Sequence, residues 1–157
     1  MRETEKHLLV GLGNPGEKYK NTRHNVGFEA IDFFANQHSL VFCDSVRFRG
    51  SLAQGCIQDK QVILLKPMTF MNVSGVSIKS CIEYFSIAQE KLLIVCDDIN
   101  ISLGKMRMRM KGSSGGHNGL KSVSLSLDTE EFTRLRIGVD FPPIEQDLSG
   151  YVLGNFT

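Results

Sequence analysis

The chain has 157 residues, 41% of them hydrophobic and 22% charged, with a formal net charge of +1. That length corresponds to about one domain with a substantial core, and the absence of like-charge blocks excludes a disordered chain. No apolar run approaches the roughly 18 residues of a membrane span, and no signal or transit peptide is visible, so a cytoplasmic location is expected.

In chain order, His7–Leu12 reads as a buried strand ended by Gly13-Asn14-Pro15-Gly16. Asn25–Gln37 has the broad apolar face of an amphipathic helix. Val46–Ser51 alternates and reads as a half-exposed strand. Gln61–Lys66 is a second buried strand stopped by Pro67. Asn72 and Ser74 are cap-type residues ahead of a helix running to about Phe85. Lys91–Cys96 is a third buried strand, ending in Asp97-Asp98. Lys105–Lys111 alternates strictly, Gly119–Leu127 reads as a helix, and Phe132–Val139 as a last strand. Short apolar strands interleaved with helices predict a single α/β domain with a mixed, centrally parallel sheet and helices on both faces. In such sheets ligands bind outside the carboxyl ends of the strands, where Asn14, Asp97 and Asp98 gather. Cys43, Cys56, Cys81 and Cys96 have no zinc or disulfide spacing and read as reduced, mostly buried small hydrophobes.

Gly11-Leu12-Gly13-Asn14-Pro15-Gly16 has the spacing of a dinucleotide fingerprint. That chemistry needs a helix starting on the glycines. Glu17–His24 has no apolar face, and Pro15 interrupts the turn. A nucleotide-hydrolase phosphate loop would need a lysine where Glu17 stands. What remains is a sharp turn or a loop that presents Asn14. Gly112-Ser113-Ser114-Gly115-Gly116 has the spacing of a serine nucleophile elbow, but the triad order fails: the only histidine downstream is His117, on the same loop. A glycine-rich hinge able to move over a substrate fits better.

Charge is uneven. Between Ile99 and Leu127 no acid occurs, while Lys105, Arg107, Arg109, Lys111 and Lys121 supply +5, leaving −4 elsewhere. In a strand, Lys105–Lys111 puts its cations on one face and its methionines on the other. This is either an edge strand defended by charge or a stripe that tracks phosphates. Arg134 and Arg136 add a second same-face pair. His24-Asn25 and His117-Asn118 each open a helix, where polar residues are often only caps. Their number shifts the balance: four amides (Asn14, Asn25, Asn72, Asn118), two imidazoles and Asp97 all fall at element ends. A histidine with an acid partner can serve as general base on water, and carboxamides can bind a carbonyl or oxyanion.

These segments together resemble the bacterial-type peptidyl-tRNA hydrolases. The matching pieces are Val10–Gly16 with Tyr19, Thr22–Gly27, Lys66–Gly75, Asp97-Asp98, Gly112–Lys121 and Arg134–Gly138, in the family's order over nearly the whole chain. The resemblance implies an esterase that frees tRNA by cutting the bond between a peptide's C-terminus and the 3′-terminal ribose, without metal, cofactor or covalent intermediate. It implies His24 as the base, Asp97 as its orienting carboxylate and Asn14 beside the histidine. It places Asn72 and Asn118 on the peptide main chain and ester end, and Tyr19, Phe70, Met71 and His117 in the same cleft. Arg107 and Arg109 fall at basic positions facing the acceptor arm, and the family's fold is a single, usually monomeric domain. Two departures stand out. Asn100-Ile101-Ser102 replaces the family's Asp-Leu-Pro, and the chain stops at Thr157 where the family continues into C-terminal helices near the cleft; a shortened chain is the expectation. A non-catalytic RNA-binding splicing partner on the same fold is the alternative, since plant organelle splicing factors also resemble this family.

Overall fold

The structure, a computed structural model, describes residues 3–156; Met1, Arg2 and Thr157, the ends of the expected single domain, lie outside the described residues. A seven-stranded sheet runs in the order β2-β3-β4-β1-β5-β7-β6. Its strands are β1 (Lys6–Gly11), β2 (Cys43–Ser45), β3 (Gly50–Ile57), β4 (Lys60–Pro67), β5 (Leu92–Asp98), β6 (Met106–Arg109) and β7 (Thr133–Gly138). The central pairs β4–β1, β1–β5 and β5–β7 are parallel, and the outer pairs are antiparallel. Helices α1 (Val26–Gln37), α2 (Ser74–Phe85), α3 (Asn118–Leu127) and α4 (Leu148–Val152) complete the fold.

Burial follows the alternation of the central strands. Leu8, Val10, Ile63, Leu65, Ile94 and Cys96 meet Ile78 and Cys81 of α2 and Leu120 and Val123 of α3. On the other face Val62, Leu64 and Val95 meet Ile31 and Ala35 of α1. Two close approaches set the site. A Cβ on Gly11 would run into the Gly27 carbonyl, so this glycine pair lets the start of α1 sit directly on the end of β1. The fingerprint-like spacing is thus a packing device, and no long helix begins on it. Gly75 of α2 lies against Ser122 of α3, whose hydroxyl accepts from the Gly75 amide at 2.9 Å. The two helices therefore cross near their N-termini, which brings Asn72 and Asn118 to one end of the molecule.

Several expectations are corrected. Val46–Arg49 is a turn, with Val46 fully exposed and only Phe48 buried; strand pairing starts at Gly50 and runs to Ile57. The hairpin to β4 turns on Gln58 and Asp59, both at positive φ (49° and 63°), without the Asn-Gly signal that marks such turns. Arg23–Asn25 forms a 3-10 turn, and α1 starts one residue later than expected. Asn72 lies in a 3-10 turn and does not cap α2. Cys81 and Cys96 are buried, but Cys43 and Cys56 are exposed; all four are free. Helix α4 has no counterpart in the sequence reading.

Candidate active site

Asp97 is the last residue but one of β5, at the carboxyl edge of the sheet, 2% exposed. Two imidazoles converge on it. His24 Nδ1 lies 2.8 and 2.9 Å from the two carboxylate oxygens, and His117 Nε2 lies 2.8 Å from Oδ1. The network assigns the protons. His117 Nδ1 accepts from the Gly119 and Leu120 amides at 3.0 and 3.3 Å, so its proton sits on Nε2 and is donated to Asp97. His24 likewise donates from Nδ1, which leaves its Nε2 lone pair free. Burial alone would raise the Asp97 pKa, but the charges and hydrogen bonds of His117 and His24 outweigh it and hold the carboxyl well below the usual range.

The carboxamides are placed with equal care. Asn25 grips the Asn14 backbone reciprocally: its Oδ1 accepts from the Asn14 amide at 2.8 Å, and its Nδ2 donates to the Asn14 carbonyl at 2.9 Å. Asn14 Oδ1 accepts from the Met71 amide at 2.7 Å. That bond fixes the flip of the side chain and turns its NH2 toward the cleft that Asn14 lines.

The cleft has a volume of about 480 Å3. It brings together Asn14, His24, Phe70, Met71, Asn72, Asp97, His117 and Asn118 of the sequence-derived set. Tyr19 is not among its lining residues; it packs edge-on against Phe70, with centroids 6.4 Å apart. Arg107 and Arg109 stand exposed on the edge strand β6, outside the cleft. Arg134 and Arg136 do share a face with that basic stripe, directly opposite Arg109 and Arg107, but Arg134 is not open to a phosphate. Arg134 is fully buried under the Gly112–Gly116 loop, donating to the carbonyls of Phe132, Gly112, Ser113 and Glu130.

Sequence reading missed four things here: the second histidine on Asp97, the Asn25 grip, the Asp98–Arg136 pair (3.6 Å) in the wall, and the α4 side of the cleft. The residues of the first three were visible in the His117-Asn118 and His24-Asn25 dipeptides and in Asp98 and Arg136, though not their contacts; the α4 side left no trace. His24, Asp97 and His117 are the one trio among the described residues with metal-ligand proximity. In the hydrogen-bond network, however, the nitrogens facing Asp97 are N–H donors and His117 Nδ1 is taken by two amides, so only His24 Nε2 keeps a free lone pair. Neither buried cysteine offers a thiolate: burial pushes the Cys81 thiol up to about 12, and the Cys96 thiol higher still.

Among the described residues no helix is long and apolar enough to cross a membrane. A family model described as peptidyl-tRNA hydrolase matches residues 8–157. The chain is 47% identical over 150 residues to the peptidyl-tRNA hydrolase of Clostridium botulinum, covering 96% of this chain and 77% of the relative. It is also 47% identical to that of Bacillus cytotoxicus, covering 80% of it. The crystal structure of the Acinetobacter baumannii peptidyl-tRNA hydrolase superimposes with a TM-score of 0.92 at 37% identity, covering all of this chain and 80% of the other. All three are hydrolases by name, and the binding-only alternative finds no support among them. By sequence and by fold, the chain belongs to the peptidyl-tRNA hydrolase family, the esterases that act on peptidyl-tRNA.

Proposed function

We propose that His24 is the general base of this esterase, oriented by Asp97, and that Asn14, Asn72 and Asn118 hold the acyl end of the substrate. The observation that carries the reading is the buried Asp97 carboxylate bound by two imidazole N–H groups at the floor of the cleft. With its Nδ1 proton committed to Asp97, His24 Nε2 takes a proton from water. The resulting hydroxide adds to the ester carbonyl carbon. Carboxamide N–H groups, Asn14 Nδ2 foremost, stabilise the tetrahedral oxyanion without adding charge. Collapse breaks the bond to the ribose oxygen, which recovers the proton from His24 Nε2. The buried carboxylate stabilises the imidazolium throughout, because charge is poorly screened at that depth. His117 fixes Asp97 from the other side and holds the start of α3, hence Asn118. Phe70 and Met71 line the cleft, and Tyr19 supports Phe70 from behind. Arg107 and Arg109 face the acceptor arm from the sheet edge. Every group in this scheme comes from one domain, and no step draws on a second subunit, a metal or a cofactor; the place proposed for the reaction is the cytoplasm.

The test is release of tRNA from a labelled N-acyl-aminoacyl-tRNA. His24→Ala is expected to lose at least about 100-fold in kcat, as general-base loss does, while still binding the substrate. A loss under tenfold would remove His24 from the role.

A further inference from the structure

One wall of the cleft has no obvious reason to exist. Leu148, Ser149, Val152 and Leu153 line it, and three of them belong to α4, a helix of five residues. A helix that short does not form alone in water. Its own sequence supplies one cap: Asp147 Oδ1 accepts from the Gly150 amide at 2.9 Å. The remaining anchors meet on one residue. The Tyr151 hydroxyl donates to the Val139 carbonyl at 2.6 Å, just past the end of β7. On its other side the Arg23 guanidinium lies 4.0 Å from the Tyr151 ring centroid and 5.8 Å from that of Phe156, and Nη1 donates to the Tyr151 carbonyl at 3.1 Å. The backbone runs alongside: the Arg23 amide donates to the Gly154 carbonyl at 2.9 Å, and Thr22 bridges to Asn155.

Arg23 is the residue before His24, within the same 3-10 turn. We infer that Arg23 is a positioning residue which locks the α4 wall to the turn that carries His24, so that wall and base form one rigid unit facing the substrate. A flat, permanently charged guanidinium suits this task. It can stack on an aromatic face and donate to a carbonyl at once, which a lysine ammonium cannot. The inference rests on the reading of the cleft as the substrate site.

Removing the side chain leaves the backbone bonds in place, so α4 should still form, but in a smaller fraction of molecules. Apparent affinity falls in proportion to that fraction. With the wall formed about one-tenth of the time, KM rises about tenfold while kcat changes less than about threefold. Steady-state kinetics on N-acyl-aminoacyl-tRNA, well below the melting temperature of each variant, read this split. Arg23→Ala is expected to raise KM about tenfold, and Arg23→Lys nearly as much. Tyr151→Leu should raise KM at least as much, since it also removes the hydroxyl bond to Val139, and the double variant should fall short of the two single effects combined, because they share the guanidinium–ring contact. Should Arg23→Ala fail to fold, Arg23→Met keeps the packing of the stem and must show the same KM rise. A merely structural role predicts a lower melting temperature with KM unchanged within about twofold, or additive effects in the double variant; either result overturns the inference. Failure of the underlying reading is distinguishable, since it would appear as His24→Ala retaining activity.

Discussion

Strands β6 and β7 lie side by side, and each carries an Arg-x-Arg. Their register sets Arg107 opposite Arg136 and Arg109 opposite Arg134, so all four guanidiniums start from one face of the sheet. Their fates diverge. Arg107 and Arg109, on the outermost strand, are exposed and have no protein partner among the described contacts. Arg136 is tucked against Asp98 and the Ser113 carbonyl, while Arg134 is wholly buried among main-chain carbonyls and stacked on Phe132. Alternation decides which face a side chain takes; what then covers that face decides its job. Under the loop a charge becomes a fastener, and on the open edge it remains available to a polyanion. Asp97, one strand further in, is also covered, yet it sits on the cleft.

The largest effect is expected at Asp97. Asp97 accepts from two N–H donors. In Asp97→Asn one oxygen becomes an NH2 group, which meets the His24 Nδ1 proton head-on. Relief comes from moving that proton to Nε2, and His24 then has no lone pair for water. A loss of at least about 100-fold in kcat should follow in the tRNA-release assay. Stability carries a second signature. The Asp97 pKa is depressed in the fold, so its contribution is complete above the unfolded carboxylate value, near 3.8, and fades as pH falls toward the folded value. The gap in melting temperature between parent and Asp97→Asn should therefore be steady from about pH 7 to 5 and narrow below about pH 4. A gap that widens with acid would contradict the assignment.

Arg134 comes next. Burial, and then the neighbouring Arg136 charge, pull its pKa below the usual guanidinium value, so its charge is held at a cost. Arg134→Met would leave the Gly112, Glu130 and Phe132 carbonyls without their donor. With the Phe132 acceptor buried and the other two part-buried, about 2 kcal/mol of stability should go, or roughly 6 °C in melting temperature. An unchanged melt would mean that a hydrophobe fills the site as well as the charge, as happens at some buried ion pairs.

What the sequence disclosed follows the same line between pattern and cover. The parallel strands β1, β4 and β5 carry consecutive buried residues on both faces, and such runs are visible without knowing their neighbours. So were the amides and imidazoles at their ends. Val46–Ser51 misled because its alternation belongs to a turn with one inward residue, Phe48, which packs on Phe85. Helix α4 has no apolar period to detect; its anchors, Arg23 and Val139, are 128 and 12 residues from Tyr151 in the chain. The bond from His117 to Asp97 spans 20 residues and depends on where α3 crosses α2. Arg134 falls on the face that periodicity assigns, but periodicity cannot show that a glycine loop covers it.

The smallest effect should come from the uncovered pair. Arg107 and Arg109 make no ion pair among the described residues, so replacing both with Ala removes charge and little else. The melting temperature should stay within about 2 °C, as for surface substitutions generally. Their contribution should appear in salt dependence. A cation that neutralises a phosphate releases a counterion, and each such contact adds roughly 0.7 to 0.9 to the slope of log affinity against log salt. Measured as kcat/KM on N-acyl-aminoacyl-tRNA at several salt concentrations, the double variant should lose about 1.5 from that slope, and parent and variant should converge at high salt. The same substitutions should leave unchanged the pH dependence set by Asp97, more than one strand away. A slope equal to the parent's would make β6 an edge strand guarded by charge and nothing more.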